Sequence, residues 1–330
     1  MGLYGAASFS IKVEPVGGTE ALRDAEAALH QAGFQVSRRC ISRASCFDFA
    51  ARDEERLIFA KVLRDIREVS RGVAAAMKSL ASCFSCASVF ISDRSNEDSL
   101  RDDTVYSRYG VNVVTLKTFS DIVSRGHLPL VKASRGGYSV AMDGGKIRER
   151  RHELGLSIGK LAGMVGISRR TLYGYERDMT RASVSSAYQL EKILGATLVR
   201  TLDVFGPPST SPSAGSSLLG DCVGVRNRLL QSILSKLTQF GLEVLPMSKA
   251  PFDFTAECPR EGLRIVGGLF RRKERLLKDR VKEVLSVSRI VGASPLLLGE
   301  GNSSALQDVA FLNCDDLVRM RDREELTALL

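Results

Sequence analysis

Residues 155–176 read GLSIGKLAGMVGISRRTLYGYE and decide how the middle of this chain folds. The stretch predicts two short helices joined by a tight turn. Ser157 is a hydroxyl N-cap for a first helix that runs to about Val165, and Ser168 caps a second that runs to the end of the stretch. Gly166 supplies the turn between them, because a tight reversal favours a residue without a side chain.

Two helices can cross at a steep angle only if a small residue lies at their closest approach and apolar residues hold them together. Ala162 meets the first requirement, and Leu161, Ile167 and Leu172 meet the second. With these features, residues 143–205 resemble the lambda-repressor/Cro-type helix-turn-helix domain. The resemblance implies a central five-helix domain that binds duplex DNA.

The sequence on either side predicts two further helices of this domain. One runs from about Lys146 to Leu154 and stops at Gly155, a typical C-terminal breaker. The other lies near residues 185–194. A helical hairpin with a purely structural role would share the apolar spacing, but it would have no reason to carry adjacent arginines on its second helix.

In the resembled domain the first turn of the second helix enters the major groove. Arg169 and Arg170 stand on that turn, and the planar fork of arginine can make two hydrogen bonds to guanine O6 and N7. Gly174 takes a place where relatives read a base, and its missing side chain would let Tyr173 approach the DNA backbone. Lys160 would replace part of a phosphate contact that relatives make through a glutamine. The expected DNA-contacting residues are Lys146, Arg148, Ser157, Lys160, Ser168, Arg169, Arg170, Thr171, Tyr173 and Gly174.

The charge balance suits a polyanionic partner. Lys and Arg number 47 against 38 Asp and Glu, so the formal net charge is +9. Between Gly145 and Arg181 there are nine basic and four acidic residues, which concentrates +5 of that charge in the proposed DNA-binding segment. For the basic residues of the first helix, Lys146 and Arg148 included, a solvated helix face is the open alternative.

Other classes of protein are disfavoured by composition. No apolar run is long enough to span a membrane, and Met1–Pro15 lacks the pattern of a signal peptide. The seven cysteines are an odd number scattered over a long chain, which predicts free thiols and a cytoplasmic location. Cys83 and Cys86 have metal-like spacing but no second ligand pair, so we expect two buried thiols and neither a metal nor a cofactor.

Two breaks in composition divide the chain. Residues 132–137 are small and polar, and a Pro/Ser/Gly linker begins at Gly206. We expect an α/β module over residues 1–130, a helix-turn-helix domain over 138–205, a linker over 206–220 and a second α/β module over 221–330.

The two outer modules are diverged copies of one another. Residues 47–49 read Phe-Asp-Phe, and the same triplet recurs at 252–254. An Ala-Ser pair beginning a later strand follows 39 residues after the aspartate of the first copy and 40 after that of the second. Each copy predicts a helix, three strands, a long helix and a buried strand, an α/β order.

Both copies resemble the PD-(D/E)xK endonuclease fold, in which two acids and a lysine hold magnesium and activate water. The first copy offers Asp48 and Lys61, but Phe59 stands where the second acid belongs. The second copy keeps Asp253 and has neither an acid nor a lysine on the next strand. We therefore expect no catalytic residues, with both aspartates accepting backbone hydrogen bonds at a strand edge.

The full order of modules, with Arg135-Gly-Gly-Tyr before the helix-turn-helix, resembles the archaeal family of HTH-type transcriptional regulators. The resemblance implies a cytoplasmic, non-enzymatic regulator whose partner is double-stranded DNA. Either two chains form a homodimer or the outer modules pair within one chain. The alternatives are a metal-dependent nuclease similar to junction resolvases and an architectural protein that coats DNA without sequence preference.

Overall fold

A computed structural model gives the arrangement of the chain. It describes residues 18–134, 136–206, 227–271, 274–299 and 311–329. Met1–Pro15, Arg135 and the expected linker after Gly206 lie outside the described residues. Among the helices within those ranges, none has the length and apolar character needed to cross a membrane.

The first module is a mixed sheet covered by helices on both faces. Its elements are α1 (Gly18–Gln31), β1 (Gln35–Val36), β2 (Phe49–Arg52), β3 (Leu57–Val62), α2 (Arg71–Cys83), β4 (Ala87–Ile91), β5 (Arg94–Ser95), β6 (Asp98–Ser99), β7 (Thr104–Arg108), β8 (Val111–Val114) and α3 (Leu116–Arg125). Strands β3, β4 and β8 run parallel, with antiparallel β2 and β7 outside them. Alternation along β3 sends Phe59 to the core under α2 and Ile58 to the core under α1 and α3.

The middle module continues the same sheet. Its elements are β9 (Val131–Ser134), β10 (Gly137–Met142), α4 (Gly144–Glu153), α5 (Ile158–Val165), α6 (Arg169–Glu176), β11 (Ala182–Ser183), α7 (Val184–Leu194) and β12 (Val199–Arg200). Strand β9 pairs parallel with β7 and antiparallel with β10, so the ten-stranded sheet runs from the first module into this one. Lys132–Ser134 and Gly137 therefore lie in paired strands that join the two modules.

The expectation of five helices in this domain is wrong for the residues described. Between residues 136 and 206 there are four helices, and the last ends at Gly195 with φ +61°. The chain then forms β12, in which Val199 pairs with Met142 of β10. The reason is that residues 197–200, Thr-Leu-Val-Arg, favour an extended conformation and find an unpaired stretch of β10.

The last module repeats the first six elements of the first module in order, helix, three strands, helix and strand, and then differs from it. Its elements are α8 (Arg228–Gln239), β13 (Glu243–Pro246), β14 (Phe254–Cys258), β15 (Leu263–Phe270), α9 (Leu277–Val291), β16 (Ser294–Gly299), β17 (Leu312–Asn313), α10 (Cys314–Arg319) and α11 (Arg323–Thr327). The pairs β14–β15 and β15–β16 are antiparallel and parallel, as β2–β3 and β3–β4 are in the first module. The predicted repeat is confirmed.

The two outer modules share one hydrophobic core, so they pair within the chain, which is one of the two alternatives left open by the sequence. Phe47 and Phe252, corresponding residues of the repeated triplet, are both fully buried with ring centroids 6.3 Å apart. Around this core, buried Glu283 of α9 accepts hydrogen bonds from the backbone N–H groups of Ile41 and Ser42, each 2.9 Å long. The interface is thus built like a domain interior.

The pair Cys83 and Cys86 lies where α2 passes into β4, as predicted. Cys86 is buried and Cys83 is half-buried, with its Sγ 3.3 Å from the hydroxyl of Thr255 in the other outer module. Burial raises the pKa of Cys83 to about 11 and that of Cys86 to about 12, so both thiols are protonated at neutral pH.

The shared core predicts that the outer modules unfold together. We expect Phe252→Ala to lower the free energy of unfolding by about 3–5 kcal/mol, because it leaves a cavity between the modules. Chemical denaturation followed by near-ultraviolet circular dichroism measures this, with exposed Leu329→Ala as a control that changes the free energy by less than about 0.5 kcal/mol. Two separate transitions, of which Phe252→Ala shifts only one, would contradict a common core.

Candidate nucleic-acid interface

Hydroxyl caps position the two crossing helices. Ser157 Oγ accepts a 3.1 Å hydrogen bond from the N–H of Lys160, and Ser168 Oγ accepts a 3.0 Å bond from the N–H of Thr171. Gly166 ends α5 in the left-handed conformation, with φ +77°. Both predicted caps and the predicted turn are confirmed, and together they fix where α6 begins.

Buried side chains lock α5 against α6. Leu161, Ala162 and Leu172 are at most 1% exposed and pack with Ile147 of α4, whereas Ile167 is partly buried at the edge of the same cluster. Because close-packed interiors resist small shifts, this core holds the first turn of α6 at a fixed angle to the rest of the domain.

The exposed side of α5 and α6 is basic and concave. A shallow depression there is lined by Ser157, Ile158, Gly159, Arg169, Arg170 and Tyr173. The guanidinium of Arg169 lies across Gly159, where an added Cβ would come within 2.9 Å of Arg169 Nε. Arg169, Arg170 and Lys160 are exposed, and none forms an ion pair with a residue that the structure describes. These cations are therefore available to an anionic ligand.

Two residues of α6 that were expected to contact DNA lie on opposite sides of the helix. Gly174 is buried on the inner side of α6, where a Cβ would approach Thr180 Oγ1 to 2.9 Å, so close packing explains the glycine and the expected base-reading position is wrong. Tyr173 remains on the outer side, 45% exposed, and the guanidinium of Arg177 lies 5.1 Å from its ring centroid.

The two basic residues of α4 that were expected to contact DNA also differ in their hydrogen bonds. Lys146 is exposed, as a phosphate contact requires. Arg148 is exposed too, but its Nη2 donates a 2.7 Å hydrogen bond to the backbone oxygen of Glu176, at the end of α6. Arg148 therefore helps to hold the end of α6 in place.

The residues that correspond to a nuclease active site are hydrogen-bonded to one another and to nearby backbone groups. Asp48 accepts a 2.8 Å bond from the N–H of Val62 and a 3.0 Å bond from Lys61 Nζ, which also donates to the backbone oxygen of Ser45. Phe59, at the place of the missing acid, is fully buried in the shared core. The prediction that Asp48 accepts a backbone hydrogen bond at the strand edge is confirmed.

In the second copy, an arginine from a different element takes the place of the lysine. Asp253 accepts a 2.7 Å bond from the N–H of Leu269, as Asp48 does from Val62. Gly268 stands in the place of Lys61, and buried Arg280 of α9 donates to Asp253 over 2.5 Å. Arg43 of the first module adds a 2.7 Å ion pair to the same carboxylate. Asp253 thus joins the two modules.

Comparison with known proteins finds two kinds of domain in the chain. A family model described as a PD-(D/E)XK superfamily domain matches residues 19–129, and one described as Helix-turn-helix matches residues 147–200. Three archaeal relatives carry the name "Putative HTH-type transcriptional regulatory protein". The relative from Methanocaldococcus jannaschii is 30% identical over 290 residues, covering 86% of this chain and 87% of its own. Those from Pyrococcus furiosus and Thermococcus kodakarensis are 28% and 29% identical and cover 92% and 94% of this chain, and 95% and 94% of their own.

The chain belongs to this family of HTH-type transcriptional regulatory proteins. Its helix-turn-helix match begins within α4 and ends with β12, so the family model includes the depression between α5 and α6. Its PD-(D/E)XK match spans α1 to α3 and includes Asp48 and Lys61.

One structural pair in this HTH-type regulator escaped sequence reasoning. Arg151 of α4 and Glu176 at the end of α6 form a buried, two-pronged ion pair, with bonds of 2.6 and 3.1 Å. Because Arg151 donates these hydrogen bonds to the Glu176 carboxylate, its pKa is raised. In the sequence, Arg151 is one of several basic residues of α4 that suit either DNA or solvent. Only the fact that Glu176 ends an otherwise basic helix could have pointed to a partner.

The Arg151–Glu176 pair predicts that breaking a buried ion pair in the helix-turn-helix domain costs more stability than breaking an exposed one. Glu176→Ala leaves the Arg151 guanidinium buried and unpaired, and we expect a loss of about 3–5 kcal/mol in the free energy of unfolding. The matched control is Glu153→Ala, which removes an exposed ion pair with Arg150 and changes the free energy by about 1 kcal/mol or less. Thermal and chemical denaturation measure both, and equal small losses would show that the buried pair does not brace α6.

Proposed function

We propose that this protein is a sequence-specific regulator of transcription that binds duplex DNA, with residues 168–176 as the recognition helix in the major groove. The observation that carries the proposal is a pair of exposed arginines, Arg169 and Arg170, on the capped first turn of a helix whose inner face is locked in a core. Neither arginine has a carboxylate partner within the described part of the chain. Guanidinium groups held in this way match the two acceptors of guanine.

The neighbouring groups suit contacts to the DNA backbone. Ser157, Lys160 and Thr171 flank the two arginines, and Lys146 reaches out from α4. Hydroxyl and ammonium groups at such places fix the register of a helix on the duplex without reading sequence. Tyr173 and Ser168 complete the contact surface, whereas Arg148 contributes charge from the margin.

The number of recognition helices bears on the stoichiometry. The division of the chain into residues 1–130, 138–205, 206–220 and 221–330 gives one helix-turn-helix to each chain. The outer modules pack against each other within the chain and supply no second helix-turn-helix. A two-fold symmetric operator would therefore require a homodimer, with half-sites one helical turn apart. We place the protein in the cytoplasm with the DNA that it binds.

We also propose that the nuclease-like modules have no catalytic activity. A PD-(D/E)xK enzyme needs carboxylates free to hold magnesium. In both copies the remaining aspartate accepts hydrogen bonds from a neighbouring N–H group and from a cation. In the first copy, Phe59 also fills the place of the second acid. The intact Asp48–Lys61 pair, 3.0 Å long, keeps cleavage of DNA as the second candidate.

Replacing both arginines tests the regulatory function. Once a bound sequence has been selected from a random duplex library, we expect Arg169→Ala with Arg170→Ala to weaken binding by about 2–6 kcal/mol, since each lost base contact accounts for about 1–3 kcal/mol. Fluorescence anisotropy and footprinting measure this. The control variant, Arg23→Ala with Lys278→Ala, removes two exposed positive charges outside the domain. An unchanged footprint in the recognition-helix variant would refute the assignment.

Incubation with supercoiled, linear and branched DNA in magnesium or manganese tests the second candidate. We expect no cleavage by the native protein, because no cluster of acids or other metal ligands lies within the described residues to hold the ion. Cleavage that disappears in both Asp48→Ala and Lys61→Ala would establish a nuclease instead. Both variants would be checked by circular dichroism, since each removes hydrogen bonds that join β3 to the preceding loop.

A further inference from the structure

A second basic surface lies at the junction of the first and middle modules, away from the recognition helix. We call it the Tyr109 surface. Its residues are Arg71, Lys78, Arg101, Arg108, Tyr109 and Tyr138. It combines four cations with two half-exposed aromatic rings, a composition typical of surfaces that bind nucleic acid.

Tyr109 is surrounded by cations. The guanidinium carbons of Arg108 and Arg71 lie 4.5 and 5.8 Å from its ring centroid, and Lys78 Nζ lies 3.6 Å from the position that a Cβ would take at Gly110. Tyr109 itself adopts φ +51°, a left-handed conformation that is rare for a residue with a large side chain. The turn between β7 and β8 therefore holds Tyr109 in a strained backbone conformation, with its ring among cations that repel one another.

A second ring extends the surface towards the DNA-binding domain. The Arg101 guanidinium carbon lies 5.1 Å from the ring centroid of Tyr138. Tyr138 belongs to β10, the strand that leads into α4, whereas Arg101 belongs to the first module. The surface therefore crosses the junction between the two modules.

These cations lack the partners that other arginines of the module have. Arg39, Arg56 and Arg67 each form an ion pair with a carboxylate at 2.5–2.9 Å. None of the four cations of the Tyr109 surface does so within the described part of the chain. In addition, Arg108 Nε is buried and has no hydrogen-bond acceptor there. A group of cations without internal anions is suited to an external one.

The sheet sets the distance between this surface and the recognition helix. From β7 the order is β9, β10 and β11, and β11 leads directly into α7 of the helix-turn-helix domain. Three strand spacings of about 4.8 Å separate β7 from β11 by roughly 14 Å across the sheet. Tyr109 follows Thr104, the residue of β7 that pairs with Val131 of β9, by five residues, which adds roughly 17 Å along the strand. The surface and the helix-turn-helix domain therefore lie on one continuous sheet, at a separation comparable with one turn of B-DNA, about 34 Å.

We propose that the Tyr109 surface binds the phosphate backbone of duplex DNA beside the sequence that α6 reads. The inference rests on the proposed function and adds a DNA-contacting role for the first module. The cations neutralise phosphates, and the rings hold the guanidinium groups in place by cation–π contact. The continuous sheet fixes both contact surfaces in one rigid body, so the flanking contact lengthens the footprint and contributes no sequence preference of its own.

Two duplexes separate this inference from the proposed function. The short duplex contains only the base pairs protected by α6, and the long one extends that sequence by about one helical turn on each side. For the variant Arg71→Ala, Lys78→Ala and Arg108→Ala, we expect weaker binding to the long duplex and unchanged binding to the short one. The slope of log affinity against log salt concentration on the long duplex should fall by roughly 3, about 0.9 for each lost phosphate contact.

Controls make each outcome decisive. The three-site variant is compared with Arg23→Ala, Arg125→Ala and Lys278→Ala, which removes the same charge from other exposed positions. Tyr109→Phe retains the ring and should bind like the native chain, whereas Tyr109→Ala should shorten the footprint. An unchanged salt slope on the long duplex, or an equal loss on both duplexes, would overturn the inference. Loss of binding to both duplexes in the Arg169→Ala, Arg170→Ala variant supports the proposed function separately, and its absence would refute that function alone.

Discussion

The parallel pairing of β7 with β9 is the constraint on which the architecture depends. It extends the sheet of the first module into the strands that carry the helix-turn-helix domain. The chain returns after β12, where Phe205 packs edge-on against Phe119 of α3 and Leu202 donates a backbone hydrogen bond to Pro129. The DNA-binding helices are thus attached to the first module on both sides, and their orientation is set by backbone hydrogen bonds and a packed core rather than by a flexible linker.

The aspartate of the repeated Phe-Asp-Phe triplet makes the same backbone hydrogen bond in both outer modules. In both copies the aspartate that an enzyme would use for metal binding instead satisfies the N–H of the next strand. The first copy pairs it with Lys61, and the second has Gly268 in that place and recruits Arg280 from α9. Two different cations thus lie beside the same carboxylate, which supports the proposal that both aspartates have a structural role.

Local sequence signals predicted local structure well. The hydroxyl caps at Ser157 and Ser168, the turn at Gly166 and the repeated Phe-Asp-Phe triplet each depend on near neighbours or on internal similarity, and each is present. Partners distant in sequence were not predictable. The Arg151–Glu176 pair and the hydrogen bonds from residues 41 and 42 to Glu283 form only when separate elements meet, and no spacing rule links such positions. Gly174 shows the same limit, because the packing of Thr180 decides its role.

The central claim is that Arg169 and Arg170 read guanine bases in the major groove. Methylation interference tests it directly, because a methyl group on guanine N7 removes an acceptor that the arginine fork uses. The account predicts that methylating one or two guanines in each half-site abolishes binding by the native protein, and that Arg169→Ala or Arg170→Ala removes the interference at one of them. Interference limited to ethylated phosphates, with no guanine sensitive to methylation, would contradict it.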